Sequence, residues 1–159
     1  MIDSVIFKAD VPLRPPGNMR LCLLPVGARM PDGTVYAGIS PETFCALFVM
    51  PADAPQTSTF DEALDYARRL EAHGYRDWCV PKKSELAILY RNREAIGGFC
   101  SGCTPPDLGW YWSSTETGFW SAWDQRFNDG SQHNTFKDLP SSIRLVRSRS
   151  LEGDNIWNR

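Results

Sequence analysis

Apolar residues recur along this chain at two different spacings, and the change of spacing marks the change of element. Thr34 to Ile39 and Phe44 to Val49 are short runs rich in β-formers. Met30-Pro-Asp-Gly-Thr34 precedes the first run, and Ser40-Pro-Glu-Thr43 separates the two. Pro and Asp start turns and Gly supplies the left-handed angle, so the pattern predicts a hairpin of two strands. Beyond the Pro51–Ser58 loop the period lengthens. Thr59-Phe-Asp-Glu62 has the form of a capping box, and Ala63, Leu64, Ala67 and Leu70 follow at helical spacing. His73-Gly74 is expected to end that helix, with His73 as its C-terminal cap. Tyr75 to Val80 reads as an extended link. Pro81 opens a second helix with Leu86, Leu89 and Tyr90 on its apolar face, stopped by Ile96-Gly-Gly98.

The remainder reads as β-rich. Trp110–Ser114, Ala122–Phe127 and Ser142–Val146 are the predicted strands, with Asn128-Asp-Gly130 as a turn between the last two. Alternation places Trp123, Gln125 and Phe127 on one face and Ala122, Asp124 and Arg126 on the other. The stretch from Ser131 to Ser142 is polar and is assigned no element. Hairpin, two helices, then antiparallel strands is a segregated order, which predicts an α+β fold. Residues 1–20, with Pro12, Pro15, Pro16 and Gly17, read as an N-terminal arm; 21–148 read as one domain and 149–159 as a tail.

Composition narrows the function classes. The chain has 159 residues, a net charge of -2 and 42% hydrophobic residues. That is one ordinary globular domain without the basic excess of a nucleic-acid binder. The first residues lack a secretory pattern and no run approaches membrane-spanning length, so the expectation is a protein that begins in the cytoplasm. Its display on a surface or virion would follow assembly. Five cysteines, an odd number, are expected to be free thiols. Cys100-Ser-Gly-Cys103 is the one close pair: it lacks the second pair that a zinc site needs, and a labile local disulfide is the alternative to a plain loop with free thiols. A phosphate loop, a His-Glu-x-x-His motif and a nucleophile elbow are all missing, and there are only two histidines. No catalytic residue, metal or cofactor is therefore assigned.

A set of short motifs occurs in a fixed order: Asp61-Glu-Ala-Leu-Asp-Tyr-Ala67, His73-Gly-Tyr-Arg-Asp-Trp78, Val80-Pro-Lys-Lys-Ser-Glu-Leu86, Gly109-Trp-Tyr-Trp-Ser-Ser114, Ala122-Trp123, Phe127-Asn-Asp-Gly130 and Ile143-Arg-Leu-Val-Arg147. Over roughly residues 32–148 this resembles the Lcl C-terminal domain family. The resemblance implies a C-type-lectin-like fold, two helices on short twisted antiparallel sheets, with ligand binding in the C-terminal half. Members tend to be adhesins, surface proteins or phage proteins. Cys79 stands where the family pattern has Arg, and the calcium–sugar tripeptides of true C-type lectins are missing.

The Trp-Tyr-Trp-Ser-Ser and Ser-Ser-x-Arg-x-Val-Arg runs also resemble the variable proteins of diversity-generating retroelements, in which framework positions alternate with changeable surface ones. Trp110, Trp112, Trp123 and Phe127 are then expected as core. Phe119, Trp120 and Phe136, large apolar residues in polar surroundings, are expected as exposed anchors. The candidate ligand contacts are Thr115, Glu116, Thr117, Phe119, Trp120, Asp124, Arg126, Asn128, Ser131, His133, Asn134, Phe136, Asp138 and Leu139. The expected function is non-enzymatic recognition of a protein or glycan on a target surface, with a homo-oligomer as the displayed state and without membrane insertion. A virion assembly module and an oxidase related to formylglycine-generating enzymes are the alternatives.

Overall fold

The computed structural model describes residues 24–100, 103 and 109–150. The expected arm, 1–20, and tail residues 151–159 lie outside them. In chain order the elements are β1 (Val35–Ile39), β2 (Ala46–Val49), α1 (Phe60–Arg69), α2 (Lys83–Arg91), a single turn α3 (Arg93–Ile96), β3 (Trp110–Glu116), β4 (Ser121–Arg126), β5 (Gln132–Phe136) and β6 (Val146–Arg149). The class is α+β. Two antiparallel three-stranded sheets have the orders β1-β2-β6 and β3-β4-β5.

The first hairpin forms as the turn residues predict, with Val35 opposite Val49. Phe44 is not in its strand: it sits in the turn at φ 57 and is exposed. The C-terminal strands differ more. Asn128-Asp-Gly130 joins β4 to β5, which lies within the stretch assigned no element. The predicted strand Ser142–Val146 is displaced. Ser141 and Ser142 make only single bridges, to Ser58 and Tyr111, and the regular strand starts at Val146 and runs to Arg149, beside β2. The chain thus returns to the first sheet and closes the domain with residues near both ends of the family-like region.

Helix α1 begins where the capping box predicts, the Thr59 N–H donating to Glu62 at 3.0 Å. It ends at Arg69, before His73. His73 and Gly74, at φ 55 and 80, form a two-residue turn across which Ala72 and Tyr75 exchange backbone hydrogen bonds. Both central residues are left-handed, as a primed hairpin turn demands. His73 is therefore a turn residue and not a helix cap. Helix α2 begins two residues after Pro81, and its first turn is capped from a distance: the Lys83 N–H donates to Thr115 Oγ1 at 2.9 Å.

Adjacent residues of β3 point into different cores. Tyr111 packs with Leu47, Val49, Leu86, Leu89 and Phe127, between the first sheet and α2. Trp112 packs with Phe60, Ala63, Ala67, Trp78 and Ala122, against α1, and its indole N–H donates to the Ser58 carbonyl at 2.8 Å. The expected core roles hold for Trp112 and Phe127. Trp110 and Trp123 are only half-buried and are covered by polar side chains. His133 stacks on Trp110 at 4.5 Å and the Lys83 ammonium sits 3.3 Å above Trp123.

A buried polar lock joins distant loops. The fully buried Arg144 donates to Asp53 at 2.6 Å and to the carbonyls of Met50 and Gly97 at 3.0 and 3.1 Å. Tyr111 donates to the other Asp53 oxygen at 2.6 Å and accepts from the Cys100 N–H. Arg147 makes a two-point pair with Asp77 and lies 3.5 Å over the Tyr75 ring. Cys100 is joined to Cys103 by a disulfide, not left as a free thiol, while Cys45 and Cys79 are free. Among the described residues no helix is long and apolar enough to cross a membrane.

Candidate functional site

The connection from β3 to β4 is short and tightly tied. The Thr117 and Gly118 N–H groups both donate to the Ser121 carbonyl. The Thr117 hydroxyl lies 2.7 Å from that of Ser121 and donates to Asn134 at 2.6 Å. A loop closed this tightly at a sheet end has no core within reach, so its two large side chains face outward. Phe119 and Trp120 are 79% and 72% exposed, with ring planes at 83° and centroids 4.5 Å apart. Phe136, paired in register with Ser121, is 65% exposed beside them.

The site is completed from the other half of the chain. Lys137 donates its N–H to the Trp120 carbonyl, and its own carbonyl accepts from Phe60, the first residue of α1. The helix start and the hairpin end thereby enclose a groove of about 820 Å³, lined by the three aromatics and by Asp61, Glu116, Lys137 and Asp138. The Lys137 ammonium sits 2.8 Å from Glu116, 3.1 Å from the Phe119 carbonyl and 5.0 Å from the Phe60 ring. It acts as a strut under the loop.

The candidate ligand contacts do not form one surface. Glu116, Phe119, Trp120, Phe136 and Asp138 line the groove, with Leu139 exposed next to it. Thr117 and Asn134 hold its loop. Arg126, Asn128, Ser131 and His133 lie toward the far end of the same sheet, where Arg126 pairs with Asp129 at 2.8 Å and the Ser131 N–H donates to Asp129. Thr115 is committed to capping α2. Asp124 departs most from the expectation of a surface contact, being 3% exposed. It shares a sheet face with Trp112, its register partner, and that face is turned toward α1. Burial pushes its carboxyl up to about 6, against the hydrogen bonds from Thr135 and Ser141 and the nearby His133 that pull it down. Its Oδ1 has no hydrogen-bond partner among the described residues.

Two of the groove's charged residues, Asp61 and Lys137, escape a reading of the sequence. Asp61 looks like an ordinary first-turn residue of a helix, and Lys137 like a framework position. Only the α1–β5 contact gives them a shared purpose. Phe44, also exposed, was equally hidden because its run has strand character. A second groove, of about 770 Å³, lies at the start of α2 beside Lys83, Ser114 and Thr115. Among the described residues no group of three or more His, Cys, Asp or Glu side chains is placed to hold a metal ion.

The order of helices, sheets and returning strand is the order of the motifs, and the model of the Lcl C-terminal domain matches residues 41–147, more than half of the chain. The chain belongs to the Lcl C-terminal domain family. The match starts in the turn after β1, whereas β1 itself pairs with β2 and contributes Val35 and Ala37 to the core. In this Lcl C-terminal domain the structural unit therefore reaches further toward the N-terminus than the family match. No curated protein matches the chain.

Proposed function

We propose that this Lcl C-terminal domain is a non-enzymatic recognition domain that contacts a protein or glycan through the groove between the β3–β4 loop and the start of α1. The observation that carries this reading is the clustering of Phe119, Trp120 and Phe136, all mostly exposed, in one groove of an otherwise well-packed domain. A contiguous exposed aromatic patch of this kind marks an interaction surface, and large rigid rings are the usual anchors of one. The groove rests on backbone hydrogen bonds, on the Lys137–Glu116 pair and on the Thr117 contacts to Ser121 and Asn134, so its three aromatic side chains are dispensable to its shape. That property suits a surface whose residues are free to change, as in a retroelement-diversified protein displayed on a phage tail or a cell. Such display in several copies would multiply weak single contacts.

The test is a combined glycan and protein array probed with the wild-type domain and with the double variant Trp120→Ala, Phe136→Ala. Wild-type hits that vanish in a folded double variant support the reading. Hits that persist in the variant would place recognition elsewhere.

A further inference from the structure

The groove carries a charge pattern that narrows what enters it. Four charged side chains line it. Glu116 and Lys137 neutralise each other at 2.8 Å. Asp61 and Asp138 have no ion-pair partner among the described residues, so the groove presents two uncompensated carboxylates beside three exposed rings. Asp61 lies in the first turn of α1. The partial positive charge of a helix start is only about half an elementary charge, so it offsets a fraction of this.

We propose that the groove, if it is the recognition surface argued above, selects a protein partner that presents a cationic side chain, Arg or Lys, flanked by apolar residues. Two physical features point the same way. The Phe119 and Trp120 rings stand nearly perpendicular. A sugar stacks the apolar C–H face of its puckered ring on one such plane at a time, whereas a compact cation is attracted by the negative faces of several rings at once. The carboxylates supply the second feature. Closing the groove removes water from Asp61 and Asp138, and a cation compensates that loss where neutral hydroxyls do so only in part. The apolar flanks of the partner would cover Phe136 and Leu139.

The experiment follows the Trp120 indole N–H by NMR, assigned with Trp120→Ala, while three probes are titrated: acetyl-Leu-Arg-Leu-amide, its Gln counterpart acetyl-Leu-Gln-Leu-amide, and a neutral linear trisaccharide. The expected result is a saturable shift with the Arg peptide, at least about tenfold weaker binding of the Gln peptide, and weakening by about 0.5 M salt. Asp61→Asn with Asp138→Asn should reduce affinity for the Arg peptide about tenfold while leaving the remaining amide spectrum in place. Equal binding of the Gln peptide, or preferential binding of the trisaccharide, overturns the cationic partner and leaves the groove as a recognition surface. A Trp120 signal that no probe moves also overturns it. Array hits that survive Trp120→Ala, Phe136→Ala would remove the groove reading itself.

Discussion

Strand β2 buries all four of its residues, Ala46 to Val49, whereas β5, one residue longer, buries none of Gln132 to Phe136. The difference lies in their neighbours. β2 is the centre of its sheet, with Leu47 and Val49 in one apolar cluster and Ala46 and Phe48 in another. β5 is the edge of the second sheet, held by its ladder to β4 and by the Gly130 turn. In β2 side-chain identity is the reason the strand exists. In β5 the backbone ladder supplies most of the structure, and the side chains add polar contacts only, Asn134 with Thr117, Thr135 with Asp124 and His133 on Trp110. A domain divided in this way can carry recognition residues at one end without disturbing its core, and the sharpest tests are substitutions that set the two regions against each other.

The largest effect should come from the frame. Arg144→Ala leaves one Asp53 oxygen and two loop carbonyls without the Arg144 donor, and a loss of about 3–5 kcal/mol is expected in urea denaturation. Next is the hinge between the regions. At Gly130 the backbone has φ 81, and an added Cβ would lie 2.5 Å from Tyr90 Cε1. Gly130→Ala should cost about 2 kcal/mol and displace β5 from α2. An effect as large as that of Arg144→Ala would show that β5 is as integral to the core as β2.

A smaller and pH-dependent effect is expected at Asp124. Its pKa is raised on folding, so the native state holds a proton that the unfolded chain has already lost. Acidification from about pH 6 to pH 4 therefore adds stability from this group, and ionisation removes it as pH rises through about 6. Asp124→Asn abolishes the charge. It should stabilise the domain by on the order of 2 kcal/mol at pH 8 and by almost nothing at pH 4, as read from thermal melts. An Asn variant that is destabilised at pH 8 would mean that the hydrogen bonds from Thr135 and Ser141 outweigh the cost of burying the charge. The smallest stability change belongs to the groove. The double variant Trp120→Ala, Phe136→Ala should stay within about 0.5 kcal/mol of wild type while losing its ligand. Loss of the fold would erase the contrast between the sheets.

The sequence by itself determined the elements whose burial is one-sided or whose turns are chemically marked. The hairpin at Thr34–Val49, the capping box at Thr59 and the Asn128-Asp-Gly130 turn are local, and local sterics and hydrogen bonding decide them. It also marked Phe119, Trp120 and Phe136 as out of place among polar neighbours, and all three are exposed. Tertiary structure alone decided what lies between those signals. β5 has no apolar alternation to read because none of its side chains enters the core. Asp124 reads as a surface contact because alternation separates two faces without telling which is covered, and β3 and β4 are packed on both. Asp61 and Lys137 reach the groove because the Lys137 carbonyl accepts the first N–H of α1, a contact between segments far apart in the chain. Local chemistry could predict where a large ring is left over; only the meeting of a helix start with a hairpin end could make those rings into a site.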